Sequence, residues 1–372
     1  MAAAISDLTA GVVGSGFVAA IHVDALRRLG VEVAGVVGST PERARAKGLA
    51  PVHDCLEALL ESGVDVVHVT TPNHLHRPQV EAVLAAGKHV VCEKPLALTS
   101  AESSELLELA RASGLVHCTN FNLRFYPVVQ HARALVRAGQ LGEVWNVHGG
   151  YLQDWLALPT DWNWRLEAEK GGELRAVGDI GSHWLDLVEF VAGLRVVELC
   201  ADLATVIPVR QRPQGEVKTF ADAAGVERVD APMSTEDLAN VLLRFGSGAR
   251  GTFLVSQVSS GRRNSLRFEL DCSGGALAWD GERNEELWLG HRGRPNELLL
   301  RDPSMPRTEM PAGHTEGYAD TFRELYRAVY AAVAGGGLPD EPDFPTFEDG
   351  HRAQVLGEAI ARSHREHGWV AV

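Results

Sequence analysis

The sequence predicts an α/β chain: an N-terminal Rossmann domain with a doubly wound parallel sheet, then an α+β domain with a large, mainly antiparallel open sheet. Two observations support this. Short apolar runs alternate with helical patterns over the first 120 residues, as in parallel sheets with right-handed helical crossovers. Long strand-like segments joined by glycine-containing turns follow, which is typical of an antiparallel meander. Because 372 residues exceed one ordinary domain, we divide the chain into residues 1–123 and 124–372.

The predicted elements follow this division in chain order. In the first domain, apolar runs predict strands at residues 10–14, 31–37, 64–70, 89–93 and 116–120. Helical periodicity predicts helices at residues 18–29, from Pro41 onwards, at 78–86 and at 100–113. In the second domain we expect long strands at 142–151, 236–245, 249–256, 265–272 and 276–279. Helices at 179–192, 316–334 and 348–366 are expected to cover this sheet, and residues 208–233 to form an irregular excursion.

The charge and the cysteines argue against several classes of protein. A formal net charge of −14 disfavours nucleic acid and anionic membrane partners, because both recognise basic surfaces. The first residues lack the basic and apolar regions of a signal peptide, and no apolar run is long enough for a transmembrane helix. The five cysteines are scattered, without a Cys-x-x-Cys pair, which favours free thiols in a reducing cytoplasm.

The segment Gly14-Ser15-Gly16-Phe17-Val18-Ala19 follows the first predicted strand and opens a helix, matching G-x-G-x-x-G/A. The first glycine permits a tight turn, the second lets a pyrophosphate approach backbone N–H groups, and the third small residue allows close helix packing. The same pattern also occurs in ordinary strand-to-helix turns, but its place after the first strand favours dinucleotide binding. We therefore predict an NAD or NADP site here.

The end of the second predicted strand bears on the choice between NAD and NADP. NAD-specific domains place Asp or Glu there for the ribose 2′-hydroxyl, whereas this chain has Gly38, Ser39 and Thr40, followed by Arg43. Without a carboxylate a 2′-phosphate is not repelled, and the two hydroxyls and the guanidinium could bind it. Ser39 or Thr40 could also cap the helix that begins at Pro41, so both cofactors stay open.

Two further motifs carry candidate catalytic groups. Lys94, within Glu93-Lys94-Pro95, follows the fourth strand at its carboxyl end, where open α/β sheets bind ligands. A lysine there can exchange a proton with an alcohol being oxidised or a carbonyl being reduced. Asp179 and His183 lie four residues apart at the start of a predicted helix, so they share one face, and the helix dipole favours a neutral imidazole. Taken singly, these residues could be a surface lysine, a helix cap and a packed histidine.

The motifs occur together in one chain. They are Gly14-Ser-Gly-Phe-Val-Ala-Ala-Ile-His, Thr71-Pro-Asn-His-Leu-His, Glu93-Lys-Pro-Leu-Ala, Asn120-Phe-Asn-Leu-Arg-Phe, Gly178-Asp-Ile-Gly-Ser-His and Phe344-x-x-Phe-Glu-Asp-Gly-His. In this combination the chain resembles, over nearly its full length, the family of glucose–fructose oxidoreductase, inositol dehydrogenase and rhizopine-catabolism (MocA-type) proteins. Tyr151-Leu-Gln-Asp-Trp and Trp162-Asn-Trp-Arg are most similar to its branch of levoglucosan dehydrogenase and other sugar or glycoside 3-dehydrogenases.

The resemblance implies an NAD(P)-dependent dehydrogenase or reductase acting on a secondary alcohol of a sugar, glycoside or cyclitol, as a homodimer or homotetramer. It implies that Lys94 is the catalytic lysine and that His183 is the proton acceptor, supported by Asp179. Together with the glycine turn, the residues expected along the cofactor are Gly14, Ser15, Gly16, Phe17, Val18, Ser39, Thr40, Arg43, Thr71, Pro72, Asn73, His76, Glu93, Lys94, Asn122, Trp164 and Arg165. Those expected around the substrate are Lys94, Arg124, Gln153, Asp154, Trp155, Asp179 and His183.

One segment departs from the family pattern, which usually has a glycine-rich run before the Gly-Asp pair. Here Gly171-Gly172 is followed by Glu173-Leu-Arg-Ala-Val, so either the loop is rebuilt with Arg175 projecting near the site, or the pocket differs. Two alternative functions stay open: an NAD-dependent glycoside hydrolase that works through transient oxidation, and a non-catalytic sensor of dinucleotide or sugar. No metal site is expected, because the pair His74 and His76 lacks further ligands at metal spacing.

Overall fold

The computed structural model describes residues 4–214 and 227–372. The chain divides into two compact units. The first runs up to Phe125 and also includes Tyr318–Gln354, and the second comprises Tyr126–Gly317 and Val355–Val372. The first unit thus includes a C-terminal segment that the predicted division assigns to the second domain.

Strands and helices alternate through the first unit, and strands predominate in the second. The strands of the described residues are β1 (Thr9–Val13), β2 (Glu32–Val37), β3 (Val66–Val69), β4 (His89–Cys92), β5 (His117–Thr119), β6 (Val144–Leu152), β7 (Val196–Ala204), β8 (Val209–Pro213), β9 (Arg228–Pro232), β10 (Leu238–Phe245), β11 (Arg250–Ser256), β12 (Ser265–Cys272), β13 (Ala276–Asp280), β14 (Glu286–Gly290), β15 (Glu297–Leu300) and β16 (Val370–Ala371). The α-helices are α1 (Phe17–Arg28), α2 (Pro41–Arg45), α3 (Leu56–Glu61), α4 (His76–Ala85), α5 (Ser100–Ser113), α6 (Pro127–Arg137), α7 (Ala168–Gly171), α8 (Ser182–Ala192), α9 (Tyr318–Ala334) and α10 (Phe347–Glu366). Short helical turns near the candidate site lie at Asn73–Leu75, Asn122–Phe125 and Trp164–Leu166, and a π-helical turn at Val177–Gly181. None of the helices in the described ranges combines the length and apolar character needed to cross a membrane.

The sheet of the first unit is parallel throughout, in the order β2-β1-β3-β4-β5. Most of its strand residues are buried, as expected for a parallel sheet with helices on both faces. The neighbours Val66 and Val67 belong to two separate buried clusters, because alternate side chains of a strand point to opposite faces. The strand order reverses between β1 and β3, and such sheets bind ligands at their carboxyl edge beside this point. The predicted doubly wound Rossmann fold is confirmed.

Helix α9 corrects one prediction. The helix predicted at 316–334 was expected to cover the antiparallel sheet, but α9 belongs to the first unit. Phe322 and Leu325 of α9 pack in the same buried cluster as Val23 and Leu26 of α1. The prediction was wrong because helical periodicity identifies the apolar face of a helix but not the surface that this face covers.

The second unit contains a nine-stranded sheet in the order β15-β14-β13-β12-β6-β11-β10-β7-β16. Among these described strands, β6 and β11 pair in parallel and the other neighbours pair antiparallel. Helix α8 packs on this sheet: the Trp184 ring stacks on Phe253 of β11 at 4.6 Å, and its Nε1 donates a hydrogen bond to Arg267 O at 2.8 Å. The large, mainly antiparallel sheet is confirmed, and the carboxyl ends of β6 and β11 meet at one edge of it.

The described parts of segment 208–233 are regular, not irregular as predicted. Strands β8 and β9 form a separate antiparallel ribbon, in which Val209 pairs with Pro232 and Pro213 pairs with Arg228. These two prolines stand at strand ends, where a missing N–H costs the ladder little. The middle of the predicted excursion, residues 215–226, lies outside the described residues.

Candidate active site

The glycine turn between β1 and α1 is held tightly by the neighbouring strands. Gly14 has a φ of +115°, a conformation that glycine adopts readily and other residues rarely. A Cβ added to Gly14 would lie 2.4 Å from Thr70 Oγ1, and the Gly14 N–H donates to Val37 O at 2.7 Å. The protein's own packing therefore requires the first glycine of the motif.

Gly16 is under a different constraint. It precedes α1 with a φ of −77°, which any residue can adopt, and a Cβ added to it would meet no atom within 4 Å. No side-chain cap satisfies the first N–H groups of α1, so the positive end of this helix is suited to an anion. Packing does not require glycine here, whereas the approach of a pyrophosphate does. The residues of the turn therefore fit a dinucleotide.

We expect alanine substitutions of the two glycines to fail in different ways. Gly16→Ala should fold with an unchanged melting temperature but bind NADH at least about tenfold more weakly, because a methyl group would occupy the path of the pyrophosphate. Gly14→Ala should lower the melting temperature, because its Cβ clashes with Thr70 and its backbone is strained. Thermal unfolding of the apo-protein and fluorescence titration with NADH measure both effects. Unchanged NADH affinity in Gly16→Ala would contradict this placement of the pyrophosphate.

The end of β2 explains the missing carboxylate. A Cβ added to Gly38 would lie 2.8 Å from Ser15 Oγ, so close packing excludes a larger side chain at this position. Thr40 Oγ1 accepts the N–H of Arg43 at 3.3 Å, which confirms the helix-capping interpretation for Thr40. Ser39 is exposed beside it.

His76 joins the loop after β3 to the loop after β4. Its Nδ1 lies 2.7 Å from Pro95 O and its Nε2 lies 2.8 Å from Thr71 O. The residue has no exposed surface, and burial lowers the pKa of the imidazole below its ordinary value. Both ring nitrogens face backbone carbonyls, so His76 holds the loop that carries Pro72 and Asn73, two other residues predicted to line the cofactor. Contact of His76 with the cofactor stays a prediction.

Glu93 holds the backbone of Lys94 at the carboxyl end of β4. Its Oε2 accepts the Lys94 N–H at 3.1 Å, and its Oε1 accepts from Asn120 Nδ2 at 2.5 Å. His22 of α1 adds a third contact, with Nε2 3.1 Å from Glu93 Oε1. A carboxylate with donors on both oxygens keeps one orientation, so Lys94 leaves the sheet from a defined position.

Behind His22 the polar contacts continue into the core. His22 Nδ1 lies 3.0 Å from His68 Nδ1, and His68 Nε2 lies 3.1 Å from the Tyr330 hydroxyl. All three side chains are buried, and burial together with the neighbouring His22 lowers the pKa of His68 well below its ordinary value. Sequence reasoning assigned no role to these residues. The available signal was a histidine inside the buried run Val66-Val-His-Val, where only a partnered polar group is tolerated.

We expect His22→Phe to lower turnover about tenfold, because Glu93 loses a buried donor and the loop that carries Lys94 loses its fixed position. His22→Gln should keep most activity, since a glutamine amide reaches the position of Nε2 and can donate to Glu93. Steady-state kinetics and NADH titration of both variants measure the difference. Equal losses in the two variants would mean that His22 supplies ring packing instead of a hydrogen bond.

Asn122 and Arg124 are both engaged within the first unit. Asn122 Nδ2 donates to Thr321 Oγ1 at 2.7 Å, and Arg124 Nη2 donates to Asp349 Oδ1 at 2.7 Å. The late Phe-Glu-Asp-Gly-His motif thus anchors Arg124 through its aspartate. Contact of Asn122 with the cofactor and of Arg124 with the substrate stay predictions.

In the second unit, Asp179 is held through both carboxylate oxygens. Arg165 Nε donates to Oδ1 at 3.1 Å, and Gln257 Nε2 donates to Oδ2 at 2.9 Å. Asp179 lies in the π-helical turn before α8, not in a regular α-helix as predicted. Four residues are slightly less than one π turn, so Asp179 and His183 still lie on the same side of the helix. Such π turns are frequent at functional sites.

Trp164 and Arg165 stand next to Asp179 in this unit. The Arg165 guanidinium lies 4.4 Å from the centre of the Trp164 ring. Asn163 caps the short turn, because its side chain accepts the Arg165 N–H at 3.1 Å. The structure therefore brings together two predicted cofactor residues and one predicted catalytic residue. Whether Trp164 and Arg165 contact the cofactor stays a prediction.

Gln153, Asp154 and Trp155 follow the carboxyl end of β6. Trp155 Nε1 donates to Gln153 Oε1 at 2.8 Å, and Gln153 Nε2 donates to Asn264 Oδ1 at 3.1 Å. Asp154 Oδ2 accepts the Gly261 N–H at 2.9 Å. The segment before β12 thus orders the three residues that were predicted to contact a sugar.

Tyr151 connects this group to His183. Its ring centre lies 6.5 Å from that of His183, and its hydroxyl donates to Asn264 Oδ1 at 2.5 Å. Burial raises the pKa of the Tyr151 phenol well above its ordinary value, so it stays protonated and serves as a donor. Sequence reasoning missed Tyr151, Asn264 and Gln257 as members of the site. Gln257 follows the carboxyl end of β11 directly, a position that could have pointed to it.

One group of described side chains has the composition of a metal site. His148, Glu269 and Asp271 lie on the neighbouring strands β6 and β12, with ligand atoms within 4.8 Å of one another. All three are partly exposed, and exposed acidic groups are common without a metal. Asp271 Oδ2 also accepts from Asn146 Nδ2 at 3.0 Å. We assign no metal to this group.

Known proteins share this architecture. Residues 8–121 match the family described as "Oxidoreductase family, NAD-binding Rossmann fold", and residues 129–278 match the "GFO/IDH/MocA C-terminal domain". The chain belongs to the Gfo/Idh/MocA oxidoreductase family. The family resemblance inferred from the motifs is confirmed, and the first unit is an NAD-binding Rossmann domain of an oxidoreductase.

Relatives within the Gfo/Idh/MocA family match almost the whole chain. Levoglucosan dehydrogenase from Pseudarthrobacter phenanthrenivorans is 29% identical over 99% of each chain. The structure of "Levoglucosan dehydrogenase, complex with NADH and L-sorbose" has a TM-score of 0.87 at 28% identity, covering 98% of both chains. An oxidoreductase domain protein from Kribbella flavida has a TM-score of 0.88 at 32% identity, covering 98% of this chain and 99% of that one.

Proposed function

We propose that this protein is an NAD(P)-dependent dehydrogenase or reductase that transfers hydride between nicotinamide and a secondary alcohol carbon of a sugar, glycoside or cyclitol. The observation that carries the proposal is the open space at Gly16 before a helix without a side-chain cap. A pyrophosphate fits there, and packing gives no other reason for glycine. The full-length similarity to a levoglucosan dehydrogenase supports the substrate class.

In the proposed reaction Lys94 and His183 act on the substrate hydroxyl, and Asp179 supports His183. His183 accepts the proton of the substrate hydroxyl, and Asp179 keeps the imidazole oriented. Lys94 donates a hydrogen bond to the oxygen as it becomes a carbonyl. The nicotinamide, when bound, supplies the hydride acceptor or donor. In the reverse direction the same side chains return the proton to the oxygen.

The remaining residues of the proposal bind the cofactor and the sugar. The glycine turn at residues 14–18 receives the pyrophosphate, and the exposed residues after Gly38 decide between NAD and NADP. Gln153 and Asp154 offer polar atoms to sugar hydroxyls, and Trp155 offers an apolar ring face to the sugar ring. The related levoglucosan dehydrogenase solved with NADH and L-sorbose supports a nicotinamide cofactor and a sugar as the two ligands.

Fluorescence titration with NADH and with NADPH, followed by a panel of sugars and cyclitols that includes levoglucosan, tests the proposal. We expect tight binding of at least one cofactor and a continuous change in its absorbance with at least one substrate. Release of free sugar from a glycoside without net cofactor reduction would instead indicate a hydrolase. Tight cofactor binding with no turnover on the whole panel would indicate a sensor.

We further propose that the protein works in the cytoplasm as a homodimer or homotetramer, without nucleic acid or membrane partners. The net charge of −14 supports the last point. Leu298 and Leu300, two positions apart on β15, are 55% and 63% exposed, and adjacent exposed apolar side chains on a sheet are compatible with cover by a second copy of the chain. Light scattering after gel filtration measures the oligomeric state.

A further inference from the structure

The segment that departs from the family pattern carries a buried arginine. The side chain of Arg175 is 0% exposed, and an arginine is almost never fully buried without partners. Its Nη2 pairs with Asp237, and its Nη1 donates to Gln257 Oε1 at 3.1 Å. Of the two outcomes expected for this loop, Arg175 does not project into an open site. It lies among buried polar groups behind Asp179.

The contact with Arg175 decides which way the Gln257 amide faces. A glutamine amide has one accepting end and one donating end, whereas a guanidinium only donates. With Oε1 turned to Arg175, Gln257 must present Nε2 to Asp179, and that distance is 2.9 Å. The opposite orientation would set two acceptors against each other at Asp179 and two donors at Arg175. Gln257 is fully buried, so water cannot relieve such a mismatch.

Compensation of the Asp237 charge does not depend on Arg175 alone. Arg210, also buried, places Nη2 2.7 Å from Asp237 Oδ1, and Asp237 Oδ2 accepts the Ile207 N–H at 2.8 Å. Burial raises the pKa of Asp237, but the Arg175 charge, the Ile207 amide and Arg210 together bring it below the ordinary value. Two buried arginines, Arg175 and Arg210, therefore pair with Asp237, and Arg175 also donates a hydrogen bond to Gln257.

We propose that Arg175 is a positioning residue for the reaction, because it orients the Gln257 amide. Gln257 and Arg165 then hold the Asp179 carboxylate in one rotamer. Asp179 lies one helical turn before His183. The inference rests on the proposed role of Asp179. Arg175 acts through Gln257, and the family's glycine-rich run is replaced here by a segment that supplies this arginine.

A double-mutant cycle tests the proposal. Arg175→Met and Gln257→Met should each lower kcat by about 10- to 100-fold, the range seen when a group that holds a functional side chain is removed. NADH affinity should stay within about twofold, because neither residue is assigned to the cofactor. The double variant should be no slower than Gln257→Met alone, because Arg175 acts through that amide. In both single variants the acid limb of the pH–kcat profile should move to higher pH, because ionised Asp179 loses the Gln257 donor in one variant and the fixed orientation of that donor in the other.

Arg210→Met is the matched control, because it removes the other buried arginine from the same aspartate. It should lower the melting temperature as Arg175→Met does, but leave the pH–kcat profile in place. Urea unfolding of the apo-proteins, run as the same cycle, measures the coupling between Arg175 and Gln257 without substrate or cofactor.

The outcomes separate this inference from the proposed function. Additive losses in the double variant, or equal shifts of the pH profile in Arg175→Met and Arg210→Met, overturn the positioning role. Should Arg175→Met not fold, an unchanged pH profile in Gln257→Met overturns it as well. Wild-type turnover in Asp179→Asn would instead refute the proposed role of Asp179, whatever the arginine variants do.

Discussion

Lys94→Ala is expected to lower kcat by about 10²- to 10³-fold, the typical loss when one donor to a developing oxyanion is removed. The melting temperature should change little, because the contact with Glu93 is made by the Lys94 backbone N–H, which alanine keeps. NADH affinity should fall far less than kcat, because the glycine turn is proposed to bind the pyrophosphate. Substrate oxidation is followed by cofactor absorbance, and NADH binding by fluorescence.

The same strand offers a matched control for this lysine. Lys88 precedes β4 at its amino end, whereas Lys94 follows its carboxyl end, and ligands of such sheets bind at the carboxyl edge. Lys88→Ala should therefore retain full turnover. Wild-type turnover in Lys94→Ala, or equal losses in the two variants, would refute the role proposed for Lys94.

His183→Ala is expected to lower kcat by about 10²- to 10⁴-fold, the usual contribution of a positioned acid–base group. Asp179→Asn should lose less, because His183 is still present as the base. The amide has only one accepting end for the two donors Arg165 and Gln257, and it lacks the charge that favours proton acceptance by His183. Both variants should bind NADH with nearly unchanged affinity. Absorbance measurements of kcat over a range of pH should show that His183→Ala has lost the acid limb of the pH–kcat profile, which reports protonation of the base.

Added imidazole gives this prediction a second readout. If His183 accepts a proton, free imidazole should restore part of the turnover of His183→Ala and none of that of Lys94→Ala. His131→Ala, a histidine of α6 in the same unit, is the control and should keep wild-type kinetics. Normal turnover in His183→Ala would leave the candidate site without its base and refute the proposed chemistry.

Residues that are close in sequence were predicted well. The turn at Gly14–Gly16 and the strand end at Lys94 each depend on a few consecutive residues. A strand followed by a glycine turn and a helix is typical of a dinucleotide-binding fold and of few others. The spacing of Asp179 and His183 also placed them on one side of a helix, although the π turn around Asp179 was not foreseen. No residue type marks a π turn, since it results from the packing of the whole helix.

Contacts between distant residues were not predicted. His22 meets Glu93 across 71 positions, Gln257 meets Asp179 across 78, and Arg175 meets Gln257 across 82. The sequence also assigned helix α9 to the antiparallel sheet of the second unit, whereas it belongs to the first unit. The apolar spacing of α9 is compatible with packing on either sheet, so only contacts between distant residues could decide.

The sequence by itself determined the alternating strands and helices, the dinucleotide turn and the position of Lys94 at a strand end, because each of these follows from local periodicity and backbone conformation. Only the tertiary structure decided which surface α9 covers, which way Arg175 points and which donors hold Asp179. The physical reason is that strand register and helix packing choose these neighbours. A buried polar group must then bond to whichever partner that packing brings within reach, since leaving it without one is costly.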